Sequence, residues 1–160
     1  MFVTGDSLEL NESSLIEGEL TLRKMRLTKE VLETKRSALR WLALSLGIIN
    51  PGESRLSAVA VLDAMLNFQF NKKQDPKVPD LLDYISSKWE PMNEKTLRYH
   101  LLRMKKMGLV DNSDGRFYFK RGASAPGMVH EPWNFNIFES YYKDVFINIK
   151  EVLKEISSKN

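Results

Sequence analysis

The segment from Asn93 to Lys120 restricts the fold of this 160-residue chain more than any other part of its sequence. Asn93 is a favourable helix N-cap, and the apolar residues after it recur three and four positions apart, as on one helix face: Leu97, Leu101 and Met104. Gly108 is placed to end this helix in a left-handed conformation. An apolar pair, a polar turn with glycine and an aromatic strand follow, which is the pattern of a β-hairpin. The sequence therefore predicts a helix over 93–108 and a hairpin over 109–121.

Helical periodicity also fills much of the chain before this segment. A basic helix is predicted over 27–49, with Thr28 as its N-cap. A second helix is predicted from Ser54, as N-cap, to about Asn71. Its residues are apolar over more than one face, which is typical of a helix packed at the centre of a domain.

A short third helix is predicted between these elements and the hairpin segment. Pro79 suits its first turn, and it must stop before Pro91, because proline disfavours helix in the residue that precedes it. These elements predict a mainly α protein with a small β-hairpin, an α+β fold, with its central domain over 53–121.

The two ends of the chain are predicted to be additions to this domain. Residues 1–26 form an acidic arm whose weak alternation also permits a short hairpin, and 122–135 is a small-residue, proline-containing linker. Residues 136–158 are predicted to form a C-terminal helix.

The stretch from Asn93 to Val110, NEKTLRYHLLRMKKMGLV, resembles the recognition helix of winged helix-turn-helix transcription regulators of the ArsR and MarR type. In those families a T-hydrophobe-x-x-H-L-x-x-L core leads into a terminal G-L-V or G-L-I. The resemblance covers about 70 of the 160 residues. It implies a winged helix-turn-helix, to which the helices predicted at the N-terminal and C-terminal ends are additions, and a regulator that contacts double-stranded DNA through helix 93–108 and wing 109–121. The composition suits an archaeal member.

The charge distribution agrees with a nucleic-acid partner. The net charge is only +3, but residues 1–20 carry −5, residues 21–40 carry +5 and residues 93–121 carry +5. Phosphates are attracted by a local basic patch rather than by a total charge. The basic segment 21–40 is open to two interpretations, a second backbone contact or a solvated face.

The helical spacing also separates the predicted DNA-binding side chains from the core. If Leu97, Leu101 and Met104 point inward, a set of polar residues points outward, with Arg98 suited to guanine and the lysines to phosphates. The hairpin adds two basic residues. The complete predicted DNA-binding set is Lys95, Thr96, Arg98, Tyr99, Arg103, Lys106, Arg116 and Lys120.

The C-terminal helix carries a heptad-like apolar seam. Spacings of three and four predict a dimerisation surface made by Phe138, Tyr142, Val145, Ile149 and Val152. The aromatic residues of this region allow the alternative that the helix folds back on its own chain. A homodimer is the preferred prediction, because a second half-site raises the affinity of a small DNA-binding domain.

Several classes of function are excluded or disfavoured by the sequence. There is no cysteine, and the two histidines, His100 and His130, lack acidic neighbours at metal-ligand spacing, so no metal site and no cofactor are predicted. No phosphate-binding glycine motif or nucleophile motif occurs, so the chain is predicted not to be an enzyme. No apolar stretch has the length of a membrane span, and a cytoplasmic protein is expected.

Other functional classes remain open at this point. One is a winged-helix adaptor that docks on a protein of a transcription or translation machine, and another is an RNA-binding module. A third is a regulator gated by a small molecule bound among the C-terminal aromatic residues.

Overall fold

A computed structural model of the chain describes residues 11–120 and 137–159. Its described part is mainly helical and contains one two-stranded antiparallel hairpin, which confirms the predicted α+β class. The elements are a 3₁₀ turn (Glu12–Leu15), helices α1 (Lys29–Glu33), α2 (Lys35–Ser45), α3 (Ser57–Leu66), α4 (Val78–Lys88), α5 (Glu94–Lys106) and α6 (Ile137–Ser158), and strands β1 (Val110–Ser113) and β2 (Arg116–Phe119). A π-helical turn, Asn67–Asn71, extends α3.

The predicted single helix over 27–49 is wrong, because Thr34 interrupts it. Thr34 has an extended backbone, φ −128° and ψ 152°, and its hydroxyl accepts a 3.1 Å hydrogen bond from the backbone N–H of Ser37. Thr28 caps α1 in the same way, as predicted. A threonine side chain that bonds to nearby backbone favours a cap over a helix interior, so two short helices form.

The second helix begins at Ser57 rather than after a Ser54 cap. Among the described residues no side chain caps α3, whose N-cap position is Leu56. Every residue from Ala58 to Met65 is buried, so packing on all sides stabilises this helix. The core around it is formed by side chains of α2, α4 and α5: Leu39, Ala43, Leu81, Ile85, Leu97, Leu101 and Met104.

Helix α5 ends as predicted, at a glycine in the left-handed conformation that leads into the hairpin. Gly108 has φ +82°, its N–H donates to the Lys105 carbonyl, and the N–H of Leu109 donates to the Met104 carbonyl. These two bonds satisfy carbonyls that a helix end otherwise leaves free. The strands pair in register from Val110 with Phe119 to Ser113 with Arg116.

The turn between the strands explains why this hairpin is tight. Asp114 and Gly115 both have positive φ, 52° and 75°. Two such residues make the type I′ turn that matches the twist of a hairpin, and aspartate followed by glycine is a preferred pair for it.

The N-terminal arm is fastened to the end of α2. The Arg23 guanidinium donates 2.8 Å hydrogen bonds to the carbonyls of Leu44 and Ile49, and its other nitrogen donates to Asn50 Oδ1 at 2.6 Å. Residues 11–26 contain the 3₁₀ turn and no strand, so the hairpin alternative fails for them. Residues 1–10 and the predicted linker 122–135 lie outside the described residues.

Within residues 11–120 and 137–159, no helix is both long and apolar enough to cross a bilayer.

Candidate nucleic-acid interface

Helix α5 has one face in the core and one face in solvent. The core face carries Leu97, His100, Leu101 and Met104. The solvent face carries Glu94, Lys95, Arg98, Tyr99, Leu102, Lys105 and Lys106. Four of these seven side chains are cationic and one is acidic, so the face that meets solvent is basic.

Hydrogen bonds hold the segment that leads into α5. Asn93 Oδ1 accepts a 2.8 Å hydrogen bond from the N–H of Thr96, as the N-cap prediction requires. Upstream, Trp89 Nε1 donates 2.9 Å to the buried carboxylate of Asp63. Tyr84 Oη at 3.0 Å and Lys35 Nζ at 3.0 Å contact the same carboxylate. One buried side chain of α3 therefore fixes α2, α4 and the start of the connection to α5.

Most of the predicted DNA-binding residues lie on exposed surface. Lys95, Lys106 and Lys120 are exposed, and Tyr99 has 60% of its surface accessible. Arg98 Nε donates 2.8 Å to Glu94 Oε2, one turn earlier on the same helix. Both side chains of this ion pair are more than half exposed, so the pair is weak and can exchange for a phosphate or a base.

Two predicted arginines already form hydrogen bonds with backbone carbonyls of the protein. The Arg103 guanidinium is half-buried and donates 3.1 Å to the carbonyl of Ile48. Arg116 is exposed, but its guanidinium donates 2.8 Å to the carbonyl of Asp75. These bonds join α5 to the loop after α2, and the hairpin to the loop before α4. Thr96 is half-buried and lines a cavity of about 640 Å³ beside Trp89 and Met92.

The hairpin is attached to the helical body by contacts that the sequence did not reveal. Phe117 N–H donates 2.8 Å to the Pro76 carbonyl, and Lys77 pairs with Arg116 as an isolated antiparallel bridge. Lys105 Nζ donates 2.9 Å to Asn112 Oδ1 and lies 3.8 Å from Asp111. The hairpin is therefore held against both the 75–77 segment and the end of α5.

No protein-family model, no curated protein and no solved structure matches this chain.

The basic segment 21–40 uses several of its charges internally. Besides Arg23 and Lys35, Arg36 stacks over the Trp89 ring at 4.1 Å, and Arg40 donates 2.8 Å to the carbonyl of Glu53. Each of these four cations makes a hydrogen bond, an ion pair or a cation–π contact with the helical body. This favours a structural interpretation of the segment over a second surface for phosphates.

The N-terminal arm borders the basic end of α5. A groove of about 690 Å³ is lined on one side by arm residues that include Glu17 and Glu19, and on another by Lys106 and Lys120. Helix α6 forms its third wall. Acidic side chains therefore share a groove with two of the predicted DNA-binding lysines.

His100 lies on the core face, with 8% of its surface accessible. Its Nε2 is 2.9 Å from Ser57 Oγ, and Nδ1 has no hydrogen-bond partner within the described part of the chain. Burial, and secondarily the positive charge of Arg103, lowers the pKa of His100 below its ordinary 6.5, against an opposing effect of Glu53. In the described residues no three acidic or histidine side chains cluster as metal ligands would, and His130 lies outside them.

The predicted dimerisation residues divide into two groups. Phe138 packs against the core and Tyr142 is half-buried, while Val145, Ile149 and Val152 are exposed. Tyr141 Oη donates 3.1 Å to the Gly18 carbonyl of the arm. The first turns of α6 therefore contact their own chain. Val145 and Ile149 border the groove beside the arm, and the seam is exposed from there on.

Proposed function

We propose that this chain is a winged-helix transcription regulator that binds double-stranded DNA through α5 and the hairpin β1–β2. The main support for the proposal is the set of side chains on the solvent face of α5. Lys95, Arg98, Tyr99 and Lys106 lie on it, while the opposite face anchors the helix in the core. A recognition helix needs such a division between an anchored face and a face of donors that enters the major groove.

The connectivity supports the winged-helix interpretation. Helices α3, α4 and α5 follow one another and share one core, and the hairpin follows α5 directly. The bridge between Lys77 and Arg116 adds a short third strand-like segment beside the hairpin. The wing is thus held firmly enough to reach along a duplex beside the recognition helix.

The contacts refine the proposed roles of individual residues. Arg98 can leave its exposed partner Glu94 and present a planar fork to guanine. Lys95, Lys106 and Lys120 are proposed to contact phosphates, and Thr96 and Tyr99 a phosphate or a thymine methyl. Arg103 and Arg116 are assigned to positioning, because their guanidinium groups already bind backbone carbonyls.

The test is the binding of fluorescent random duplex DNA at two salt concentrations, about 50 mM and about 200 mM. Phosphate-led binding predicts affinity that falls steeply with salt. The slope should become shallower by about one per lost phosphate contact in Lys106→Ala and in Lys120→Ala. Lys29→Ala is the matched control, because it removes the same charge from α1 and should leave the slope unchanged.

Sequence selection, duplex binding at low salt and competition by RNA together test the proposed DNA binding. Selection of preferred sequences should then show relaxed specificity for Arg98→Ala, because that variant loses a base contact rather than a phosphate contact. Absence of measurable duplex binding at about 50 mM salt would refute DNA binding, since non-specific affinity is highest there. Competition by structured RNA that exceeds competition by duplex DNA would favour an RNA-binding module.

A protein-docking adaptor is a second candidate, and one observation favours it. Leu102 lies within the basic face of α5 with 51% of its surface accessible, and Tyr99 precedes it by three residues. Exposed apolar side chains surrounded by charges are common at protein interfaces. An adaptor would bind its partner at high salt and lose that partner in Leu102→Ser, whereas a DNA-binding protein would keep its duplex affinity in that variant.

A further inference from the structure

The second half of α6 has an apolar face that is largely exposed. From Val145 to Ile156 the large apolar side chains keep between 37% and 56% of their surface accessible. At 100° per residue, six of them fall on one stripe about 120° wide. These six are Val145, Phe146, Ile149, Val152, Leu153 and Ile156.

The stripe together with its polar borders has the size of a protein interface. Six half-exposed side chains of this kind present on the order of 600 Å² of apolar surface, at the upper end of what a monomer normally exposes. A stable interface buries about 800 Å² on each partner. The stripe and its polar borders supply this area. Val145 and Ile149 also border the groove that α6 shares with the arm and the end of α5, yet 37% and 46% of their surfaces stay accessible.

The charged residues beside the stripe are segregated by sign. Lys143, Lys150 and Lys154 follow it on one side of the helix. Asp144, Glu151 and Glu155 follow it on the other side. The helix surface is therefore ordered around its circumference as basic border, apolar stripe and acidic border.

This order of charges favours a second copy of the chain as the partner and a parallel orientation of the two helices. If two copies of α6 pair in parallel about a twofold axis, the basic border of one helix meets the acidic border of the other along both edges. In an antiparallel pair, like-charged borders would meet instead. A second copy of this chain in parallel register thus covers the stripe and also complements its charges.

We propose that this chain forms a homodimer through a parallel, in-register pairing of α6 over residues 145–156. The first turns of α6 stay on their own chain, through Phe138 and the Tyr141 bond to Gly18. The dimer is independent of nucleic acid, and it presents two copies of α5 to any common ligand.

The first experiment is the mass of the purified protein by sedimentation equilibrium without DNA. The wild type should have twice the 18.5 kDa of one chain. Ile149→Glu should halve this mass, because it places a charge at the centre of the stripe. Ile147→Glu is the matched control: Ile147 is at least as exposed as Ile149 but lies on the opposite side of α6, so the dimer should persist.

The second experiment tests the orientation, and the absence of cysteine makes it simple. Ile156→Cys introduces the only thiol, near the end of the helix. Parallel pairing places the two thiols opposite each other and predicts a disulfide-linked dimer on mild oxidation, whereas Ile147→Cys should not cross-link.

Two results would overturn the proposal. A wild-type mass of 18.5 kDa at micromolar concentration would show that the stripe pairs with something other than a second copy. A dimer in which Ile156→Cys does not cross-link would exclude parallel register. The mass measurement and the cross-linking are both done without DNA. A negative result for the dimer is therefore distinguishable from a negative result for the proposed DNA binding.

Discussion

Gln69 Oε1 accepts a 2.9 Å hydrogen bond from the backbone N–H of Phe119, a residue fifty positions further along the chain. Gln69 is completely buried, and its Nε2 donates 2.8 Å bonds to the Gln74 carbonyl and to Asp75 Oδ1. One amide therefore joins the end of α3, the loop before α4 and the second strand of the hairpin.

Replacing this amide should destabilise the domain. Gln69→Met keeps the volume but removes the hydrogen bond between Gln69 Oε1 and the buried Phe119 N–H, together with both bonds from Nε2, which costs about 1–3 kcal/mol of unfolding free energy. Urea denaturation is the measurement. Gln74→Ala, at an exposed side chain whose carbonyl is retained, should change the unfolding free energy by less than about 0.5 kcal/mol. Equal stability of Gln69→Met and wild type would show that the amide does not support the hairpin.

Asp63→Asn should weaken the junction of α2, α3 and α4. The buried carboxylate accepts from Tyr84, Trp89 and Lys35, and an amide offers these donors only one oxygen. We expect a loss of about 1–3 kcal/mol in the unfolding free energy. The exposed Asp83→Asn on α4 serves as the control and should behave like the wild type.

The same cluster predicts alkaline sensitivity. The hydrogen bond to Asp63 raises the pKa of Lys35 above its ordinary 10.5, and burial raises the pKa of Tyr84 above 10.0. Both groups bind protons more tightly in the folded state, so their stabilisation is complete below pH 10 and is lost as pH rises beyond it. Asp63→Asn should lose less stability than the wild type between pH 9 and pH 11. A parallel decline in both proteins would contradict this assignment.

His100 should make the protein less stable in mild acid. Its pKa is lowered in the folded state by burial and by Arg103, so the unfolded chain binds the proton first as pH falls through about 6.5. The unfolding free energy should then decrease toward low pH, by at most about 1.4 kcal/mol per pH unit. Urea midpoints at pH 7.5 and pH 5.5 measure this effect. His100→Gln should remove the histidine-dependent part, and a pH dependence that disappears in His130→Gln instead would assign it to the other histidine.

The acidic arm should reduce affinity for DNA if Lys106 and Lys120 bind phosphates as proposed. Glu17 and Glu19 line the same groove as these lysines, so their carboxylates lower the local positive potential. The double variant Glu17→Gln and Glu19→Gln should bind random duplex DNA roughly twofold to tenfold more tightly at low salt, and this gain should shrink as salt screens the charges. Glu33→Gln with Glu30→Gln removes two charges from α1 and is the control. An unchanged affinity in the arm variant would show that the arm does not affect the interface.

Local chemistry made much of the fold predictable. The Asn93 cap, the left-handed Gly108 and the hairpin turn at Asp114 and Gly115 each depend on a few consecutive residues, and each was confirmed. The break at Thr34 was missed, because apolar periodicity continues across it while the side chain caps a new helix. The apolar spacing favours one continuous helix, whereas the Thr34 side chain favours a new N-cap. The sequence pattern does not show which of the two prevails.

The candidate interface was predictable only in part. The spacing of Leu97, Leu101 and Met104 already indicated which face of α5 meets solvent, and so identified Lys95, Arg98, Tyr99 and Lys106. Burial of His100 on the core face was not evident, since the polar ring flanks the apolar stripe in sequence. Its partner Ser57 comes from another helix.

The sequence by itself determined the helices, their polar and apolar faces and the tight hairpin, because these depend on interactions between residues a few positions apart. Only the tertiary structure decided which cations remain on the solvent face of the Asn93–Lys120 segment. Arg103 binds a carbonyl 55 positions away and Arg116 one 41 positions away, while Lys95 and Lys106 stay exposed. A carbonyl is the same group at every residue, so no sequence pattern marks the one that folding brings beside a given arginine.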